Sequence, residues 1–138
     1  MARAIERQGL DPIIVDGDAK ALVSRAEELG KDLAADGLSK SQIRNIFGEV
    51  RRIEADWQQD DLESANKNLR RLLLLMPRMA YQRKREPKTA PLMDTLTTAV
   101  DLVADAEKPS EKHLRFRYFV EFFEAVLAYH TAHERKSN

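Results

Sequence analysis

Apolar residues recur with helical periodicity along nearly the whole chain, and this pattern restricts the fold more than any other feature. The one β-like fragment is the run Ile13, Ile14 and Val15. We therefore predict an all-α protein, a single-domain compact helical bundle of about five to six helices. A chain of 138 residues is long enough to bury a hydrophobic core in one such domain.

Capping residues predict where the first two helices begin. The first helix is predicted over 19–35, with Asp18 as its N-cap. The second begins at Ser39, whose spacing to Gln42 makes a capping box, and it continues with a regular apolar face. These local signals fix the start of each helix independently of how the helices pack.

Prolines and caps organise the rest of the chain. Residues 1–17 are expected to be a loosely ordered N-terminal segment, and residues 18–138 the helical small domain. Pro77 ends or kinks the third helix, and the connector 86–91, with two prolines, is predicted to be mobile. The last helix is predicted to be capped by Ser110. The remaining helices are predicted from Asp60 or Asp61 to Met76, and over 77–85, 91–107 and 111–135.

The last predicted helix has an unusually wide apolar arc. Such an arc indicates burial on two sides, so we expect this helix to lie centrally in the bundle, the alternative being a face that binds a partner. The arc consists of Phe116, Phe119, Val120, Phe123, Val126 and Leu127, with Tyr118, Phe122 and Tyr129 beside it.

Charge is distributed unevenly, although the formal net charge is zero. The stretch 67–88 contains eight basic residues and one acid, Glu86, which leaves the rest of the chain at about minus seven. A localised basic patch of this kind suits a polyanion, and a nucleic-acid backbone is the first candidate.

Two groups of residues are candidates for binding that backbone. On the second helix, Lys40, Arg44 and Arg51 lie within a narrow sector beside the apolar face, because each residue turns the helix by about 100°. After Pro77, a second group combines cations with an aromatic ring that can stack on a base. Arg78, Gln82 and Arg85 fall near one face of the segment, Arg83 and Lys84 broaden it, and Tyr81 is the aromatic residue. The alternatives are a solvated face with ordinary ion pairs for the first group, and a core position for Tyr81.

Several kinds of chemistry find no support in the sequence. There are no cysteines and no glycine-rich phosphate loop, and His130 and His133 lack the glutamate spacing of a metalloprotease helix. His130 falls in the apolar arc, which favours a buried, hydrogen-bonded histidine over a metal ligand. We expect no catalytic residue, no metal and no cofactor. No apolar run approaches the roughly 20 residues that span a bilayer, and no secretory pattern opens the chain, so a cytoplasmic protein is expected.

Three segments occur in an order that resembles a known family. They are 38–47 (LSKSQIRNIF), 75–85 (LMPRMAYQRKR) and 119–130 (FVEFFEAVLAYH). Together they are similar to the small subunit of the type III-A CRISPR (Csm) effector complex. The resemblance extends over most of the chain, from about Leu38 to His130.

This resemblance implies a non-enzymatic subunit that stacks in several copies along the guide RNA and its single-stranded target RNA. It implies contact with the target backbone without sequence readout. The implied partners are the repeated backbone subunit, the large polymerase-like subunit and neighbouring copies of the chain, with no membrane. The matching positions are Lys40, Gln42, Arg44, Arg78, Tyr81 and Arg85. Arg51, Arg83 and Lys84 are added by the charge analysis alone.

Two other classes of protein stay open at this point. One is a helical protein-interaction adaptor that touches no nucleic acid. The other is a metal-dependent enzyme that uses His130 and His133. Salt-dependent RNA binding separates the first from an RNA-binding subunit, and metal analysis separates the second.

Overall fold

A computed structural model of the chain describes residues 1–58 and 61–134. Within these ranges it is a bundle of helices without a β-strand, and six of its helices have at least eleven residues. The all-α bundle of five to six helices is therefore confirmed. The helices are α1 (Arg7–Leu10), α2 (Ala19–Ala35), α3 (Lys40–Asp56), α4 (Leu62–Leu73), α5 (Leu75–Arg85), α6 (Ala90–Ala104) and α7 (Pro109–His133), with a π-helix at Asp11–Val15 and a 3-10 helix at Pro87–Thr89.

The starts of α2 and α3 follow their capping residues. Asp18 Oδ1 accepts a hydrogen bond from the backbone N–H of Ala21 at 3.2 Å. Ser39 is the N-cap of α3, and its backbone N–H donates to Gln42 Oε1 at 2.9 Å, as a capping box requires. Both predicted N-caps are confirmed.

The third predicted helix is interrupted before Pro77 rather than at it. The third helix was predicted to run to Met76, but α4 ends at Leu73 and α5 begins at Leu75, with Pro77 in its first turn. A proline ring clashes with the carbonyl of the fourth residue before it, here Leu73, and lacks the N–H that would bond to it. The break therefore falls one turn upstream. At the other end of α4, Asp61 is the N-cap, and the alternative start at Asp60 lies outside the described residues.

The structure also differs from the predictions for the connector 86–91 and for the start of α7. The connector predicted to be mobile forms the 3-10 helix Pro87–Thr89, in which the buried Thr89 hydroxyl donates to the carbonyl of Glu86 at 2.7 Å. The N-cap of α7 is Lys108 rather than Ser110, because Pro109 occupies the first helical position, where proline is favoured. The predicted end of this helix at Arg135 lies outside the described residues.

Helix α7 is central, as its wide apolar arc predicted. It packs against α2, α3, α4 and α6. A row of aromatic rings fastens α3 to it: Trp57 stacks on Phe116 at 4.7 Å between centroids, and Phe123 meets Phe47 edge-on at 5.0 Å. Phe119 lies between them, 6.1 Å from the ring of Phe116 and 6.2 Å from that of Phe123. Helix α3, which carries one candidate group, is thereby packed against α7 at its middle, through Phe47, and at its C-terminal end, through Trp57.

The N-terminal segment is packed rather than loose. Leu10, Ile13 and Ile14 are fully buried in the core, and the backbone N–H of Ile5 donates to Thr95 Oγ1 at 2.9 Å. This differs from the loosely ordered segment expected for residues 1–17. The apolar run that looked like a strand fragment instead inserts into the bundle as part of the π-helix.

Helices α2 and α7 approach each other closely at Gly30. A Cβ atom at this position would lie 2.7 Å from the carbonyl oxygen of Val126 and 2.8 Å from the backbone nitrogen of His130. The His130 ring is fully buried beside this contact, and its Nε2 donates to the carbonyl of Leu38 at 2.5 Å. The predicted buried, hydrogen-bonded histidine is confirmed.

Candidate nucleic-acid interface

A surface groove of about 390 Å³ runs between α3 and α5. On its α5 side, the spacings between Arg78, Tyr81 and Arg85 are three and four residues, so these side chains project from one flank of that helix. The groove is lined by Asn45 and Ile46 from α3 and by Pro77, Arg78, Tyr81, Gln82 and Arg85 from α5. It is called the α3–α5 groove below.

The Gln42 side chain forms hydrogen bonds that connect α3 to the end of α5, the two helices that line this groove. Its Oε1 atom accepts from Ser39 in the capping box, while its Nε2 atom donates to Glu86 Oε2 at 3.0 Å. Glu86 directly follows α5, so this side chain joins the start of α3 to the end of α5. Gln42 was predicted to contact RNA, and the geometry gives its amide a positioning role.

Gln42→Ala is expected to lower the free energy of unfolding by about 1–2 kcal/mol, because it removes half of the capping box and a hydrogen bond to a carboxylate. Urea denaturation followed by circular dichroism measures this loss. Gln8→Ala is the matched control: Gln8 is exposed, and its side chain has no hydrogen bond within residues 1–58 and 61–134. Equal midpoints for the two variants would contradict the positioning role.

The groove combines an aromatic ring with cations that lack acidic partners. Arg78 and Arg85 are exposed and form no ion pair or hydrogen bond with the part of the chain that the structure describes. Tyr81 is 65% exposed, so the alternative that placed it in the core is wrong. Guanidinium groups without a carboxylate are available to bind phosphate in a bidentate way, and an exposed ring is available to stack.

Lys40 and Arg51 lie on the other flank of α3 and face α7. Lys40 Nζ is 3.6 Å from Glu134 Oε1, and Arg51 Nη1 is 3.6 Å from Glu124 Oε2. The Arg51 guanidinium also lies 5.7 Å above the centre of the Phe47 ring. Ion pairs at this exposure contribute about 0–1 kcal/mol each, so a phosphate could replace the carboxylates at little cost.

Arg44 shares that flank with Lys40 and Arg51, since the three lie within about 40° on the helix. It is exposed and makes no ion pair with any residue in 1–58 or 61–134. Asn45, one residue on, points into the α3–α5 groove. The first candidate group therefore lies on the flank of α3 that faces away from the α3–α5 groove, and the structure does not bring it into one groove with the second group on α5.

The basic run 83–85 points in three directions. Arg85 lines the α3–α5 groove, whereas Arg83 Nε donates to Asp94 Oδ1 on α6 at 2.8 Å. Lys84 lies between them, exposed and without an ion pair in the described part of the chain. Of these three residues, only Arg85 belongs to the groove.

Sequence reasoning missed Asn45, Ile46 and Pro77 as groove residues. Asn45 carries neither charge nor ring, and Ile46 belongs to the apolar face of α3. The available signal was the spacing of Asn45 from Gln42, which puts two amides on one flank of the helix.

Other kinds of site find no geometry in the described ranges. Among residues 1–58 and 61–134, no three His, Asp or Glu side chains are grouped so that they could hold a metal ion. His130 is buried and His133 is exposed, so the two do not share a site. None of the helices described is long and apolar enough to cross a membrane.

Comparison with known proteins identifies the family. The family model described as Csm2 Type III-A matches residues 16–136, which is most of the chain. No curated protein and no solved structure gives a significant match. The matched range includes both walls of the α3–α5 groove and the central helix α7. The chain therefore belongs to the Csm2 Type III-A family and is a small subunit of a type III-A CRISPR (Csm) complex.

Proposed function

We propose that this subunit is a non-catalytic RNA-binding protein that stacks in several copies along the guide–target duplex and contacts the target RNA backbone without reading its sequence. The observation that carries the proposal is the pair Arg78 and Arg85, which flank an exposed Tyr81 in one groove and have no acidic partner in the described residues. Its partners are target and guide RNA, the repeated backbone subunit, the large polymerase-like subunit and neighbouring copies.

The candidate residues differ in whether an ion pair must break before they can bind a phosphate. Arg78 and Arg85 are the primary contacts, and Arg44 and Lys84 are exposed cations that can reach further phosphates. Three others must first exchange a carboxylate for a phosphate: Lys40, Arg51 and Arg83. Tyr81 supplies a stacking surface, and Gln42 holds the walls of the groove in place.

Phosphate contacts explain why such a subunit would ignore sequence. Guanidinium and ammonium groups bind the sugar-phosphate backbone, which is the same at every nucleotide. The few contacts available in one copy give low affinity, and several copies on one RNA raise it through effective concentration. Weak single contacts and repeated copies are then parts of one mechanism.

Arg85→Glu tests the proposal. It is expected to weaken binding of a single-stranded RNA of about ten nucleotides by about tenfold, since a charge-assisted contact becomes a repulsion. The magnitude of the slope of log affinity against log salt should fall by about 0.7, because the variant neutralises one phosphate fewer and binding therefore releases fewer counterions. Fluorescence anisotropy at about 50 and 200 mM salt measures both quantities.

Arg117→Glu is the matched control. Arg117 is an exposed arginine on α7 that does not line the α3–α5 groove and has no ion pair within the described ranges. Equal losses in the two variants would indicate nonspecific attraction to surface charge. An absence of salt-dependent binding in the unaltered protein would overturn the proposal and favour the helical protein-interaction adaptor.

A further inference from the structure

We infer that the α3–α5 groove receives one unpaired nucleotide, with its base stacked on Tyr81 and its phosphate bound by Arg78 or Arg85. The inference rests on the proposed RNA binding and adds a ligand class to it. A backbone contact alone requires only cations, whereas this groove also presents an aromatic face that is 65% exposed. An aromatic face can stack on a base, which is also flat and aromatic.

The size of the groove suits a single nucleotide. Its volume of about 390 Å³ lies near the lower end of the range for pockets that hold small organic ligands, roughly 300–1,000 Å³. A double helix could rest across such a groove but could not enter it. A nucleotide displaced from its stack is the part of an RNA that fits.

Base geometry leads to the same ligand. Within an A-form helix both faces of a base are covered by its neighbours, so only edges and backbone are presented to a protein. Within an RNA, only a base that has left the stack can therefore cover the Tyr81 ring. Proteins that bind single strands use aromatic side chains in this way, next to cations that follow the backbone.

The remaining lining residues match a base in chemistry. Pro77, which is exposed, adds apolar surface to the groove, as a stacked base would require, and the largely buried Ile46 adds a little more. Asn45 and Gln82 contribute amides, each of which can donate and accept a hydrogen bond. Such groups can adapt to the edge of any base, so we expect occupancy of the groove with little preference among bases.

The test compares two RNA probes that carry the same number of phosphates. One is a single-stranded oligouridylate of about ten nucleotides with one central 2-aminopurine, and the other is the same sugar-phosphate backbone with every base absent. The protein is expected to bind the base-containing probe at least about fivefold more tightly, as stacking on one aromatic side chain implies. Binding should also quench the fluorescence of 2-aminopurine.

Variants of Tyr81 assign the preference to the groove. Tyr81→Leu keeps an apolar side chain but removes the aromatic face, so the preference for the base-containing probe and the quenching should both be lost. Tyr81→Phe keeps the ring and should retain both. Because Tyr81 is exposed, neither variant should alter the thermal unfolding curve, which is recorded alongside.

The outcomes separate this inference from the proposed function. Salt-dependent binding that is weakened by Arg85→Glu, with equal affinity for the two probes and no effect of Tyr81→Leu, overturns the nucleotide pocket and leaves backbone binding standing. Failure of the unaltered protein to bind either probe overturns both. Loss of the preference in Tyr81→Leu and its retention in Tyr81→Phe support the pocket.

Discussion

Gly30→Ala is expected to destabilise the protein by about 3 kcal/mol, a large part of the 5–15 kcal/mol that typically stabilises a domain. The added Cβ would lie 2.7 Å from the carbonyl oxygen of Val126 and 2.8 Å from the backbone nitrogen of His130. Both are main-chain atoms of α7, so no side-chain rotation relieves the clash. The helices α2 and α7 must separate, which disturbs the central packing of the bundle.

Gly48→Ala in α3 is the matched control and should have the opposite sign. A Cβ at Gly48 meets no atom within 4 Å. Alanine therefore gives the helix only its higher propensity, about 1 kcal/mol of stabilisation. Urea denaturation of both variants measures the pair of shifts. If Gly30→Ala were also stabilising, the close approach of α2 to α7 would be refuted.

Phe119→Ala should cost about 3–5 kcal/mol, because a fully enclosed ring is replaced by a cavity. Phe119 is 1% exposed and occupies the middle of the aromatic row, between Phe116 and Phe123. Its removal should weaken the packing of α3 on α7, because the two outer rings of the row are Phe47 in α3 and Trp57 at the C-terminal end of α3. We expect a lower urea midpoint together with a weaker near-ultraviolet circular dichroism signal from Trp57.

Leu114→Ala provides the comparison for Phe119→Ala. Leu114 belongs to the same helix but is 43% exposed, so its truncation should change the free energy of unfolding by less than about 1 kcal/mol. Losses of similar size in the two variants would show that the aromatic row does not fasten α3 to α7.

Local signals predicted the parts of the fold that local forces determine. Asp18 and the Ser39 capping box begin their helices because each satisfies backbone groups a few residues away. The burial of Ile13 and Ile14 could not be predicted in this way, because it depends on α6 and α7, which lie far along the chain. Tertiary packing therefore decided the structure of the N-terminal segment.

The same distinction applies to the candidate site. Helical spacing correctly grouped Arg78 with Arg85 on α5, since that relation is internal to one helix. It could not tell which cations have carboxylate partners. Glu134 and Asp94, which pair with Lys40 and Arg83, lie on other elements and reach them only through the fold.

In the proposed RNA binding, the ion pairs of Lys40, Arg51 and Arg83 also affect the rate of association. Among the candidate cations they leave positive potential at those without an ion pair in the described ranges, Arg44, Arg78, Lys84 and Arg85, on a chain whose net charge is zero. At physiological salt such a local field extends only about 8 Å, so it cannot steer a distant polyanion. We expect association at about 10⁵–10⁶ M⁻¹s⁻¹, the range of unsteered encounters. Delivery of this subunit to its RNA would then depend on the protein surfaces that hold it in the complex.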